Sequence, residues 1–447
     1  MPSPTPVQSF QPTAVQAAPD LLRIATAGSV DDGKSTLVGR LLYDTKSVLA
    51  DQIDAVTKAS VDRGMDTPDL SLLVDGLRAE REQGITIDVA YRYFATPTRS
   101  FVLADTPGHV QYTRNTVSGA STAQLVILLV DARNGVVAQT RRHAAVMALL
   151  GVPRLVLAVN KIDLVDDPAQ VFAQISSEFN DITRSLGYSP DQVQEIPVSA
   201  LRGDNVAIKS ELTPYYDGPT LIEHLEAVPN EPDVTDVGLR FPVQYVIRPR
   251  TSEYPDYRGY AGLIAAGRVS VGDEVVVQPS GVRTRIAKID TADGELESAH
   301  TGRSITLLLE DDLDVSRGDL IASVADAPEP SQEFTATVCW LAEKALRPGA
   351  RLLLKHGAKT TQVIIGSLDT LFDEQELALI DAPETVELNQ IGRISLMTAE
   401  PIAADDYQVD RESGSFLLID PQGGNTLGAG LIGDALAPLH LPDPASA

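Results

Sequence analysis

The chain has 447 residues, 43% of them apolar, which suits two to four packed domains and is too long for a single core. Its 62 acidic residues against 36 basic ones leave a net charge of −26, a surface that repels nucleic acid and anionic membrane. A single cysteine, Cys339, excludes an internal disulfide and a multi-cysteine metal site, and no apolar run reaches the roughly 18 to 20 residues of a membrane-spanning helix.

Residues 1–20 are rich in Pro, Gln, Ser and Ala, with no basic start and no apolar run, so they are expected to be a disordered lead-in and not a secretory signal. A cytoplasmic protein is expected, with Cys339 buried between Val338 and Trp340. From residue 21 to residue 228, apolar runs at 21–27, 100–104, 124–130, 154–159 and 193–198 read as strands buried on both faces. Helical patterns at 35–42, 140–149, 171–186 and 220–227 lie between them, which predicts a doubly wound, mostly parallel α/β domain. Within it, residues 44–80 carry the weakest pattern, although Leu72, Leu73 and Leu77 have the spacing of a helix face. The run Pro229-Asn230-Glu231-Pro232 reads as a linker. Strand-like segments then recur at 239–246, 260–265, 274–278 and 304–309, and, after a soft boundary at 326–330, at 334–339, 351–355, 361–365, 393–398 and 416–420. Two β-barrel domains, 233–326 and 331–438, are expected after the 21–228 domain. Arg317-Gly318-Asp319 reads as a turn before Leu320 and Ile321.

Four loops carry the chemistry, each placed after a predicted strand. Gly28-Ser29-Val30-Asp31-Asp32-Gly33-Lys34-Ser35, followed by Thr36, satisfies G-x4-G-K-[ST] between a strand and a helix. Such a loop aims successive N–H groups at phosphate oxygens, and the next helix adds its positive end. Lys34 would reach the β- and γ-phosphates, and the Ser35 hydroxyl would ligate Mg²⁺. Asp105-Thr106-Pro107-Gly108-His109 follows the run 101–104. Alone it is equally a turn, but an Asp at a strand's carboxyl end faces the ligand crevice and can hold Mg²⁺ through water. Gly108 would let a backbone N–H approach the γ-phosphate.

Asn160-Lys161-Ile162-Asp163 follows the run 154–159, and the Asp163 carboxylate can accept both guanine N1–H and N2–H₂, a donor pair adenine lacks. Ser199-Ala200-Leu201 supplies a third contact loop, in which a backbone N–H meets guanine O6. Together these predict a protein that binds GTP with Mg²⁺.

The residues resemble those of translational-type GTPases, the elongation factor Tu class. The similarity lies in the phosphate loop with Thr36, in Arg81-Glu82-Gln83-Gly84-Ile85-Thr86-Ile87 and in His109. The resemblance implies that Thr86 completes the Mg²⁺ shell and that His109 orients the attacking water, with Val30 and Ile85 as an apolar gate. It also implies two β-barrels after the GTPase domain. Gln111-Tyr112-Thr113-Arg114-Asn115, the stretch 87–94, Asp131-Ala132-Arg133-Asn134-Gly135-Val136, residues 218–225 and residues 258–262 narrow the likeness. They are similar to the large, GTPase subunits of bacterial sulfate adenylyltransferases. That resemblance implies a smaller adenylyltransferase partner and a GTPase coupled to formation of adenosine 5′-phosphosulfate and pyrophosphate from ATP and sulfate.

Two rivals stand beside this reading, an aminoacyl-tRNA carrier and a non-catalytic GTP-dependent scaffold, and charge argues against the first. Residues 331–440 hold 16 acids and 7 bases, a balance of −9, where a tRNA-binding module needs basic surface. The nearest basic group, Arg347, Arg351, Lys355, His356 and Lys359, reads as solvated strand edges. No second G-x4-G-K-[ST] occurs, so a form without a fused kinase domain is expected.

Overall fold

The structure, a computed structural model, describes residues 20–62, 64, 68–74, 89–108, 113–229, 237–249, 257–373 and 378–437. Residues 1–19 of the expected lead-in 1–20, the 81–87 segment, His109, Gln111, Tyr112 and Leu77 lie outside the described residues, whereas Asp20 is ordered, accepting from Arg99 and from the Ser100 N–H.

The first sheet is built from β1 (Leu21–Gly28), β2 (Ala90–Ala95), β3 (Ser100–Asp105), β4 (Leu125–Asp131), β5 (Leu155–Asn160) and β6 (Val193–Pro197). Their order is β2-β3-β1-β4-β5-β6, all parallel except the antiparallel edge strand β2. Every residue of β4 and β5 is buried, as runs such as Leu-Val-Ile-Leu-Leu-Val require of central parallel strands. Strand order reverses at β1, whose neighbours are β3 and β4, so a crevice opens at the carboxyl ends there.

Six helices accompany this sheet among the described residues: α1 (Lys34–Asp44), α2 (Ala50–Asp62), α3 (Thr113–Ala120), α4 (Ala138–Leu149), α5 (Pro168–Ser185) and α6 (Leu221–Ala227). Leu37, Val38 and Leu41 of α1, with Leu221 and Leu225 of α6, cover one face. Val117 of α3, Ala144 and Met147 of α4, and Ile175 and Phe179 of α5 cover the other. Thr220 caps α6 reciprocally with Glu223, and Asp167 caps α5 ahead of Pro168. No helix among the described residues is long and apolar enough to cross a membrane.

Beyond residue 237 the chain is antiparallel β structure. Arg240–Pro242, Leu320–Ser323, Glu274–Gln278, Val282–Thr291, Ser304–Leu309 and Gly259–Leu263 pair in that order, and Tyr245–Ile247 adds to the last. A bridge between Arg240 and Ala266 brings the first strand back to the end of Gly259–Leu263. Residues 239–246, read as one strand, form two. Val243 exchanges backbone hydrogen bonds with Gly318 and Asp319, and Gln244 turns to Ala261. In the last domain Arg351–His356, Ser415–Ile419, Thr426–Ile432, Ser331–Trp340, Ile391–Ile402 and Lys359–Asp373 pair in sequence. Lys359–Asp373 pairs back onto Arg351–His356, which closes a six-stranded barrel around Val338, Leu354, Ile394 and Leu418.

This barrel docks on the α4 side of the first sheet. Cys339, buried as expected, joins Phe372, Ile391, Ala435 and Leu436 in the same core as α4 and α5. Tyr407 donates to the Leu150 carbonyl at 2.8 Å, and Arg411 to that of Ser121 at 2.6 Å. The two β domains are joined by Arg240, 2% exposed, whose guanidinium grips the Asp405 carboxylate at 2.8 and 3.0 Å.

Candidate nucleotide site

The phosphate loop leaves β1 at Gly28 and enters α1 at Lys34. Asp31 (φ 68) and Gly33 (φ 93) are both left-handed, which curls the backbone. At Gly33 a side chain is excluded twice, since a Cβ there would lie 2.4 Å from Asn160 Nδ2. Asp32 closes the loop by accepting from the Ser29 N–H at 2.6 Å. Lys34, 7% exposed, donates to the Gly28 and Ser29 carbonyls at 2.9 and 2.7 Å. Burial lowers the Lys34 pKa, and Asp105, Asp32 and Asp31 oppose that shift. Ser35 and Thr36 follow on the first turn of α1, both half-buried, and Val30 is half-buried in the loop itself.

Asp105 ends β3 fully buried, on the strand next to β1, from which the phosphate loop leaves. Thr26 Oγ1 donates to Asp105 Oδ1 at 2.8 Å, and Thr106 Oγ1 returns to the Thr26 carbonyl at 2.6 Å, so β1 and β3 are tied at their ends. Thr106, Pro107 and Gly108 are all buried. Gly108 lies directly against the phosphate loop: a Cβ there would sit 2.4 Å from Lys34 Nζ and 2.6 Å from the Gly28 carbonyl oxygen. The hydroxyl and carboxylate oxygens of Ser35 and Asp105 are the hard donor set that suits Mg²⁺.

The guanine-side loops are bonded to the phosphate loop. Asn160, 2% exposed, donates to the Asp32 carbonyl at 2.7 Å and accepts from the Ala200 N–H at 2.9 Å. Lys161, in a left-handed conformation (φ 60), donates to the Asp31 carbonyl at 2.5 Å. Asp163 is half-buried in the turn Ile162–Leu164 that follows. Ser199 and Ala200 are buried, and Leu201 is half-exposed. All three loops therefore meet at one end of the sheet, with Asn160 as their common member.

Sequence reasoning assigned no role to several residues that build this arrangement. Asp131, 1% exposed at the end of β4, pairs with Lys161 Nζ at 2.9 Å and with Arg133. Its place at a strand's carboxyl end is the same cue that singled out Asp105. Burial pushes the Asp131 carboxyl up, but hydrogen bonds from Arg133 and Lys161 overcome this and hold it well below the usual carboxylate range. Arg40 of α1 donates to the Ala200 and Leu201 carbonyls and so clamps the 199–201 loop. His143 of α4 is 4% exposed beneath the phosphate loop and meets Gln139 at 3.0 Å. Burial, then Lys34 and Arg142, lower its pKa to about 3, opposed by the Gly28 carbonyl.

The basic group in the last domain is only partly the solvated edge it was expected to be. Arg347, Arg351 and Lys355 are exposed. His356 is instead bonded to the Ser413 carbonyl at 2.6 Å, and Lys359 to the Pro401 carbonyl at 3.0 Å. Both lie where this barrel faces the preceding one, beside Gly318 and Asp319.

A phosphate loop at a topological switch point, cross-linked to a guanine-type loop, defines a GTP-binding domain. Residues 19–234 match the elongation factor Tu GTP binding domain, and 333–433 match the GTP-eEF1A C-terminal domain-like family. The chain is 53% identical to the bifunctional enzyme CysN/CysC of Mycobacterium tuberculosis over 92% of its own length and 67% of that protein. It is 48% identical to the bifunctional enzyme NodQ of Rhizobium sp., over 94% of itself and 64% of the relative. Sulfate adenylyltransferase subunit 1 of Alteromonas mediterranea is 46% identical, over 94% of this chain and 88% of that one. The chain spans about two thirds of the length of the two bifunctional relatives. It belongs to the family of sulfate adenylyltransferase subunit 1.

Proposed function

We propose that this chain is the GTP-hydrolysing subunit of a heteromeric sulfate adenylyltransferase, working in the cytoplasm with a smaller subunit that carries adenylyl transfer. GTP hydrolysis here drives the uphill conversion of ATP and sulfate to adenosine 5′-phosphosulfate and pyrophosphate. The observation that carries this reading is 46% identity to a sulfate adenylyltransferase subunit 1 across 88% of that protein. The −9 balance over 331–440 speaks against an RNA partner.

In this reading the loop 28–35 wraps the phosphates with its amides. Lys34 turns from the Gly28 and Ser29 carbonyls to the β- and γ-phosphate oxygens. Asp163 accepts the two guanine donors, while Asn160 and Lys161 hold their loop against the phosphate loop. Ser35, Thr86 and Asp105 would hold Mg²⁺, which when bound neutralises charge developing on the bridging phosphate oxygens. His109 orients the attacking water, with Val30 and Ile85 beside it. Gly108, packed on Lys34 and Gly28, carries the presence or loss of the γ-phosphate to the residues that follow it.

Co-purification tests the reading. The tagged chain, expressed with the small subunit, should elute with it and hydrolyse GTP faster in the pair than alone. Elution without that partner but with RNA absorbance would favour a translation factor instead.

A further inference from the structure

We propose that Asp131 and Arg133 form a positioning pair for the guanine-nucleotide site: Arg133 fixes the plane of the Asp131 carboxylate, which in turn holds Lys161 against the phosphate loop. The inference rests on the reading of this site as one for GTP. It concerns two residues to which that reading gives no contact with base or phosphate.

The geometry is closed at every link. Asp131 is the last residue of β4 and lies directly beside Asn160 in the parallel register with β5. A carboxylate 1% exposed needs its charge and both oxygens engaged. Arg133 meets that need with a fork: Nε to Oδ1 at 3.0 Å and the terminal nitrogen to Oδ2 at 2.6 Å, while its backbone N–H also reaches Oδ1 at 3.0 Å. With its plane set, Oδ2 points at Lys161 Nζ, 2.9 Å away. Lys161 spends a second donor on the Asp31 carbonyl at 2.5 Å. A lysine side chain is otherwise a flexible stem with a point charge, and this one also sits on a left-handed backbone. Two fixed acceptors remove that freedom before a nucleotide arrives, so less ordering is left for binding to supply.

Arg133 makes the decisive variant because its side chain is half-exposed, 49%, and its removal leaves no cavity. Binding of GTP and of GDP to the full chain would be measured by fluorescence titration, with urea unfolding in parallel. Arg133→Ala should weaken both nucleotides alike, about three- to tenfold, with a smaller loss of stability because Lys161 and water still reach the Asp131 carboxylate. Arg133→Lys should recover only part of the loss, since an ammonium keeps the charge but not the fork. In the partnered enzyme the same loss should raise KM for GTP and leave kcat unchanged. Wild-type affinity in both Arg133 variants would overturn the proposal, as would a binding loss matched by an equal loss of stability. A wild-type chain that bound no GTP would instead overturn the site assignment itself, and the pair's role with it.

Discussion

Asn160→Ala removes the residue on which the three loops converge. Its amide group makes two buried bonds, to the Asp32 carbonyl at 2.7 Å and from the Ala200 N–H at 2.9 Å. Each backbone group left unpaired in the interior costs about 1 to 3 kcal/mol. Allowing for partial relief by water, the total is about 2 to 4 kcal/mol, or roughly 30- to 900-fold in affinity if it falls on the bound state. The assay is titration with a fluorescent guanine nucleotide, with urea unfolding run beside it to assign the loss to site or fold. GTP should bind at least about thirtyfold more weakly, or the unfolding free energy should fall by the matching amount. A change below about threefold in affinity with unaltered stability would refute the idea that Asn160 ties the loops together.

Asp163→Asn should shift preference from guanine towards xanthine nucleotides, because an amide can donate to the carbonyl that replaces the base's amino group; competition binding reads the ratio. Gly108→Ala forces a methyl to within 2.4 Å of Lys34 Nζ, and partner-stimulated GTP turnover should fall by about tenfold or more. Arg240→Met strands the Asp405 carboxylate between the two barrels and should destabilise by about 3 to 5 kcal/mol in urea, whereas adding Asp405→Leu should recover most of it. His143 has an ordinary pKa of 6.5 and a folded value of about 3, so the unfolded chain binds the proton more readily between these limits. Its contribution to stability is therefore full above about pH 6.5 and is lost as pH falls. His143→Gln should flatten the decline in unfolding free energy between pH 7 and 5; an unchanged slope would contradict the burial argument.

The residues legible in the sequence were those whose cue is local. Asp105 and Asn160 each stand at the end of an apolar run, and Lys34 opens the helix that follows another, so the runs tell which end of the sheet they occupy. Pairings between distant segments had no such cue. Arg240 and Asp405 are 165 positions apart, and nothing in either neighbourhood names the other. Asp131 was visible as a strand-end acid, but its bond to Lys161 depends on the register that sets it beside Asn160. Helix α2 went unread because Val56 and Ser60 are its buried residues, too few for a helical stripe. Of Leu72 and Leu73, read as a helix face, the structure makes a 3-10 turn, Leu70–Leu73, packed on α1. The solvated reading of His356 and Lys359 failed because distant loops of their own barrel engage them, through the Ser413 and Pro401 carbonyls, and Lys359 also packs against Gly318 of the preceding barrel.

The measurement closest to the central claim is the yield of adenosine 5′-phosphosulfate from the purified pair, given ATP and sulfate. It would be taken with GTP, with a non-hydrolysable GTP analogue and with no guanine nucleotide. The account predicts that GTP raises the yield well above both other conditions and that GTP is consumed as product forms. Equal yield in all three would leave this chain a binding partner with no coupling role, and would contradict it.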